Sequence, residues 1–418
     1  MELHLIISAM RRNKVGAMLI AVQTAITLAV LCNGLFILQQ RLALSDRPSG
    51  TDEANIFVIT NRAVGDLSRL SAQVRTDLLL LRALPAVVDA YATNAYPLSN
   101  SGWSNIIALN DDHEQQVRIP SASYFADDHT IDTLGLKLIA GRNFQADEIV
   151  DRERWLTMRP RGIIITKALA RALFPHGNAL DKSVFLQGER QFAPIIGIVD
   201  TLQAPWTSVV RNRLVNNSIL EPFHFISPIS FYVVRAKPGL LAGVMPAAES
   251  ALRSADPSRI IEKVQSLSVA RAEAYRDDRG LAIILTVICS ALLVATLCGI
   301  AGLTSYWVAQ LRKQIGIRRA LGATRAIIFY YFQTENFLVV SVGTVVGVAL
   351  AIGLNIWMVS RFQMTHLQYS YAVVSGAIVL LLGQLAALWP ALQAAKISPG
   401  IATRRIDRIS PPPFFNIQ

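Results

Sequence analysis

At 418 residues the chain is long enough for a membrane bundle together with one or two water-facing lobes. Its residues are 52% hydrophobic and 17% charged, against about 25% charged in a typical soluble domain, so the balance leans towards a membrane protein. The net charge of +11 would suit a nucleic-acid binder by number alone, but the densest Lys and Arg clusters lie beside apolar runs, which argues against nucleic acid as a partner.

In chain order, Leu3, Ile6, Ile7 and Met10 line one face of a helical segment at 1–14, with Arg11 and Arg12 at its end. This pattern suits an amphipathic helix lying in the membrane interface. The first apolar run, Val15–Leu38, meets the roughly 20 residues that a helix needs to span a hydrocarbon core. It is too long for a signal-peptide h-region and lacks an Ala-x-Ala-like site, so it reads as an uncleaved anchor.

Residues 39–280 read as mixed α/β. Strand patterns at Asn55–Thr60, Arg161–Thr166, Phe192–Val199, Ser230–Arg235 and Ile260–Val264 alternate with helical stretches at Leu67–Leu84, Lys167–Phe174 and Leu241–Ala255. A strand–helix–strand unit near each end predicts one lobe built from two segments, about 52–120 and 222–270, with a second lobe, about 121–221, inserted between them. The acidic pairs Asp127-Asp128 and Asp277-Asp278 read as solvated surface rather than metal or acid–base sites.

Three further apolar runs follow: 281–308, about Phe337–Val359 within a span of 327–359, and 371–393. The fold class expected is therefore a membrane protein with four transmembrane α-helices, one before and three after a large mixed α/β extracytoplasmic domain of two lobes. Arg11, Arg12 and Lys14 precede the first span; Arg312, Lys313, Arg318, Arg319 and Arg325 fill the 309–326 connection; Lys396, Arg404, Arg405 and Arg408 lie in the 394–418 tail. The positive-inside rule then places both termini in the cytoplasm and residues 39–280 outside.

Small residues recur at four-residue steps: Ala17, Ala21, Ala25 and Ala29; Ala291, Ala295 and Gly299; Gly343, Gly347 and Ala351. Such stripes allow close helix approach, either within the chain or at a dimer seam. No ionisable residue is expected in the middle of a span, which argues against an ion-coupled transporter. Cys32, Cys289 and Cys298 all fall in apolar runs, so no disulfide framework is expected.

No phosphate-binding Gly-x-x-x-x-Gly-Lys-[Ser/Thr] loop, metal-spaced His/Cys set or Gly-x-Ser-x-Gly elbow occurs in the sequence. The chain is therefore expected to be no enzyme, and to bind neither cofactor nor metal. The segment Gln314–Thr324 carries the sharpest functional signal. On a helix Ile315, Arg318 and Arg319 share a face while Leu321 lies elsewhere, and Gly322 can end the helix in a left-handed turn. An apolar residue beside two guanidinium groups suits a partner groove with acidic rims, or a surface of anionic lipid.

The run from Arg312 through Lys-Gln-Ile-Gly-Ile-Arg-Arg-Ala-Leu-Gly-Ala-Thr to Arg325 resembles the hallmark of the macrolide-exporter-type (MacB/FtsX-like) ABC permeases. So does the closing run Pro390-Ala-Leu-Gln-Ala-Ala-Lys-Ile-Ser-Pro399. Tyr124-Phe125, the run from Leu134 to Phe144, Ala168–Pro175, Ile195–Val199 and Lys237-Pro-Gly239 are similar to that family's periplasmic core domain. The resemblance implies an ABC ATPase partner that carries ATP and Mg, and a second permease copy or paralogue. It also implies an adaptor (membrane fusion) protein with an outer-membrane channel, and an inner-membrane location. Gln314, Ile315, Gly316, Arg318, Arg319, Ala320, Leu321 and Gly322 would couple to the ATPase. The family commonly has Glu before Ile-Gly-Ile; Gln314 here weakens a contact, marks one half of a heterodimer, or is neutral. The implied function is efflux of a periplasmic substrate. A regulator of a cell-wall hydrolase and a lipoprotein-extraction permease are the alternatives that share the fold.

Overall fold

The computed structural model describes residues 14–64, 67–109, 118–153, 157–207, 214–362 and 366–397. The expected amphipathic segment before Lys14 and the tail after residue 397 lie outside the described residues. The chain forms two compact units, Met1–Ala43 with Asp278–Gln418, and Leu44–Asp277.

The first helix, α1 (Lys14–Ser45), continues past the apolar run. The chain then forms β1 (Ile56–Arg62), α2 (Leu70–Arg82) and β2 (Val87–Thr93). A second lobe follows: β3 (Trp103–Ala108), β4 (Ile119–Phe125), the one-turn α3 (Thr130–Leu134), β5 (Leu138–Gly141), β6 (Val150–Glu153), β7 (Ile163–Thr166), α4 (Lys167–Leu173), β8 (Ser183–Leu186), β9 (Gln191–Val199), β10 (Ser218–Glu221) and β11 (Phe223–Ile226). The chain returns to the first lobe through β12 (Ile229–Ala236), α5 (Leu241–Ala255), β13 (Ile260–Ser266) and α6 (Leu267–Ala274).

Among the described residues the first lobe is a four-stranded antiparallel sheet in the order β13-β1-β12-β2. Phe57, Ile59, Tyr232 and Val234 face Val74, Leu78 and Leu81 of α2 and Val244, Ala248 and Leu252 of α5. Ile56, Val58 and Val233 point the other way, into a core shared with Tyr124, Leu134 and Leu220 of the second lobe. Burial on both faces is why β1 reads as the unbroken apolar run Ile-Phe-Val-Ile instead of alternating.

The second lobe runs β5-β9-β7-β10-β4-β3-β8, and β8 pairs back onto β9, so six strands close on themselves. Ile163 and Ile165 pack with Leu169 and Leu173 of α4, while Ile164 between them enters the core shared with the first lobe. The lobe boundary expected near residue 120 moves forward. β3 pairs with β4 from Trp103 opposite Ser123 to Ile107 opposite Ile119, so it belongs to the second lobe. Consecutive strands tend to pair with each other, and that tendency outweighs proximity in sequence to α2.

Among the described residues, Asp127 and Arg152 are two of several charged groups buried where the sequence suggests none. Asp127, read as solvated surface, is 2% exposed. It accepts from Thr130 Oγ1 at 2.9 Å and the His129 backbone at 3.1 Å, and lies 3.4 Å from Arg82 Nη2. Burial raises its pKa, opposed chiefly by Arg82. Asp278 of the second pair meets Arg41 in an ion pair.

The other group is Arg152, whose guanidinium lies 4.7 Å from the Phe125 ring centre, 4.9 Å from Phe223 and 5.5 Å from Trp103. It donates to Glu189 at 2.6 Å and lies 3.7 Å from Glu221, which also accepts from Ser123. Burial pushes the Glu221 carboxyl up to about 7, countered by the Ser123 hydrogen bond and reinforced by Glu189. The folded state therefore holds a proton that the unfolded chain has released. The resulting stability is fully present below the ordinary carboxylate range and is lost as pH rises through about 7. Between those limits the loss is on the order of 3 kcal/mol. Thermal unfolding of the full chain at pH 5 and pH 8, wild type against Glu221→Gln, checks this: the variant flattens the pH dependence. Parallel curves for the two proteins would refute the assignment.

The remaining elements are α7 (Arg276–Gln310), α8 (Arg312–Ala320), α9 (Arg325–Phe362) and α10 (Tyr369–Ala395). Helices α1, α7, α9 and α10 are long and apolar enough to cross a membrane. The small-residue stripes of α1 and α9 meet each other inside the chain. A Cβ on Gly343 would lie 2.7 Å from the Ala21 carbonyl oxygen, and one on Gly347 would lie 2.9 Å from that of Ala25. On α7, Gly299 faces Gln23, whose Nε2 donates to the Ala295 carbonyl at 3.0 Å, while Ala291 is exposed. Thr27 and Thr296 share a hydrogen bond at 2.7 Å, and Asn33 donates to the Ala351 carbonyl at 3.1 Å. Gly347→Ala should cost about 1–3 kcal/mol, because two backbones and not a flexible side chain must give way. A lower midpoint for unfolding in dodecyl maltoside with added SDS checks it.

The 327–359 span does carry an acidic residue. Glu335 is 6% exposed, a third of the way along α9. The apolar run is clear only from Phe337, whereas the helix starts at Arg325, so hydropathy alone leaves Glu335 outside the membrane. Its neighbour Asn336 donates to the Gly383 carbonyl of α10 at 3.0 Å.

Candidate functional site

The segment between α7 and α9 is a short helix, α8, with defined ends. Gly322 has φ +101°. Its N–H donates to the Arg319 carbonyl at 3.2 Å, and the Ala323 N–H donates to that of Arg318 at 3.0 Å. These paired bonds satisfy the last carbonyls of α8 around a left-handed residue, a conformation that favours glycine. Two residues later the Thr324 hydroxyl accepts from the Ile327 N–H at 3.3 Å, capping the start of α9. The Gly-Ala-Thr run thus stops one helix and starts the next.

The orientation of α8 changes the expected docking face. Ile315 is 5% exposed and packs with Val308, Ile328, Phe332, Ala391, Ala394 and Ile397, so it belongs to the bundle and not to an outward surface. Gly316 is buried beside it. Arg319 donates to the Ile397 carbonyl at the end of α10. Arg318 is exposed, but its guanidinium stands 5.4 Å from the Tyr331 ring centre on α9. The face expected from Ile315, Arg318 and Arg319 is thus largely used up inside the chain. Ile315 continues the buried line Val308–Leu311 at three- and four-residue steps, which is why it turns inward.

The outward face is built from Lys313, Gln314, Ile317, Ala320 and Leu321, at helical steps of one, three and four. Leu321 is 83% exposed and Ile317 is 45% exposed. Of the residues expected to couple to the ATPase, Gln314, Ala320 and Leu321 lie on this face; Ile317, which is not among them, completes it. The signal that could have found it is its place four residues from both Lys313 and Leu321. Two bare aliphatic side chains beside a basic and an amide side chain form a small apolar knob with a polar rim, chemistry that fits a protein groove.

Two family models match the chain: the FtsX-like permease C-terminal region at 283–399, and the MacB-like periplasmic core domain at 15–254. The sequence is similar to YvrN, an uncharacterized ABC transporter permease of Bacillus subtilis (strain 168), with 25% identity over 304 residues, 70% of this chain and 72% of that one. It is also similar to the macrolide export ATP-binding/permease protein MacB of Mannheimia succiniciproducens, with 22% identity over 403 residues, 93% of this chain. The match spans 57% of the length of that relative. The periplasmic region of MacB from Actinobacillus actinomycetemcomitans aligns with a TM-score of 0.33 and 14% identity, covering 55% of this chain and 97% of that one; so loose a likeness adds no weight to the family models. With a core-domain model over more than half its length and a permease model over the three later helices, this multi-pass membrane protein belongs to the MacB/FtsX-like family of ABC transporter permeases.

Proposed function

We propose that the chain is the permease subunit of an ABC-type export complex. A separate ATPase subunit binds ATP and Mg and docks on the outward face of α8, and its cycle is passed through α7 and α9 to the core domain. The complex holds two permease chains, and an adaptor protein and an outer-membrane channel complete the path for a periplasmic substrate. In this reading the protein sits in the inner membrane with both termini in the cytoplasm, as the basic residues of the α7–α9 connection favour. The observation that carries the proposal is the exposed Ile317–Leu321 pair on a capped helix that joins two apolar helices.

Affinity capture from membranes in mild detergent, with mass spectrometry of the retained proteins, tests it. An ATPase recovered with an adaptor supports export. A peptidoglycan hydrolase recovered with the ATPase and no adaptor would replace export by regulation. Absence of any ATPase would sink the coupling mechanism.

A further inference from the structure

The core domain contains a cleft of about 490 Å³ that the permease role does not use. It is lined by Arg47, Lys167, Arg171, Asp200, Thr201 and Asn216, together with Pro48 and Ala168. Lys167 and Arg171 stand one turn apart on α4, so both side chains reach the same opening. Among the described lining residues Asp200 is the only carboxylate, beside the cationic Arg47, Lys167 and Arg171. Asp200 meets Lys167 at 3.3 Å, with both side chains more than two-fifths exposed. An exposed pair of this kind holds its partners weakly, and Lys167 can turn to a stronger anion at little cost. Arg171 has no ion-pair partner among the described residues. The Thr201 hydroxyl and the Asn216 amide add neutral hydrogen-bonding groups to the rim.

Only a short stretch of chain separates the cleft's Arg47 from the first apolar helix. Arg47 follows the last residue of α1 by two positions. Four residues of helix and two of extended chain keep it within about 13 Å of Arg41. Arg41 in turn follows the apolar run that ends at Leu38 by three residues.

We propose that this cleft binds a phosphate-bearing anion, either the headgroup of an anionic lipid or a small phosphorylated solute. Guanidinium groups offer forked donors that match phosphate oxygens, and an ammonium supplies a compact third charge. The volume falls in the range of small-molecule sites and exceeds what a bare phosphate fills, leaving room for an attached glycerol- or sugar-sized group. The inference does not depend on ATPase docking at α8.

The test uses the full chain in phosphatidylcholine nanodiscs. In one arm, glycerol phosphate is titrated by calorimetry. In the other, nanodiscs containing phosphatidylglycerol are examined by native mass spectrometry for retained lipid. The double variant Lys167→Gln/Arg171→Gln should weaken the probe that binds by roughly tenfold or more. The charge-preserving swap Lys167→Arg/Arg171→Lys should retain binding, which separates lost charge from lost folding. Arg253→Gln, a remote surface cation on α5, should change nothing. Glycerol phosphate binding identifies a soluble ligand, and phosphatidylglycerol retention without it identifies a lipid headgroup. The proposal is overturned if the double variant matches wild type with both probes, or if Arg253→Gln weakens binding equally.

Discussion

Replacing Ile317 and Leu321 together by Asp should strip the ATPase from the purified permease, lowering the affinity of the pair by roughly a hundredfold. Each side chain offers about 1.5–3 kcal/mol on full burial against a partner, and neighbouring contributions at an interface are not additive. A carboxylate at either place would also have to be desolvated in the partner's groove. Neither residue belongs to the buried core: Leu321 is 83% exposed, and Ile317, 45% exposed, lies on the side of α8 opposite the buried Ile315. The variant should therefore keep its thermal stability and its level in the membrane while losing its partner. Arg319→Gln should behave in the opposite way, loosening the tie between α8 and the end of α10 at Ile397 before it touches docking. Pull-down with quantitative mass spectrometry, beside an unfolding curve for each variant, reads both. Full ATPase recovery with the double Asp variant would remove α8 as the docking element.

Much of this arrangement was legible in the sequence because it follows from periodicity and punctuation. The helix expected at Leu241–Ala255 is α5, and the strand expected at Phe192–Val199 is β9 with one more residue at its start. Gly322 ends α8 in a left-handed turn as expected. What sequence could not supply was which neighbours claim each side chain. Arg318 and Arg319 draw the eye as a basic pair, but the ring of Tyr331 and the carbonyl of Ile397 are far from them in sequence and only the fold brings them close. Likewise the acidic pair at 127 and 128 is polar by composition, while the turn before α3 and Arg82 of α2 together bury Asp127. The small-residue stripes were visible, but a four-residue spacing says only that some backbone comes close. That the backbone near Gly343 is α1 of the same chain depends on the helix arrangement.

In the first lobe, Asp77 and Arg259 form a two-bond ion pair with both side chains 1% exposed. Arg259 Nη1 and Nη2 each donate at 2.8 Å, and the Tyr232 hydroxyl adds a third donor to Asp77 at 2.7 Å. Burial pushes the Tyr232 phenol well above its ordinary pKa, so it remains a donor at every accessible pH. The pair ties α2 to the turn before β13 across the central strand β12. Arg259→Met should cost about 3–5 kcal/mol, because it leaves a desolvated carboxylate with only a phenol for company. For a domain of this size that lowers the unfolding temperature by about 10 °C. Asp77→Leu should cost a similar amount by stranding the guanidinium. The double variant Asp77→Leu/Arg259→Met should recover most of the loss, since no charge is left buried. The three melting curves form a cycle whose coupling measures what the charges do for each other, separately from their packing. If the double variant is as unstable as the two single losses added together, the pair holds the lobe by shape and not by charge, and the penalty assigned to the stranded partner is wrong.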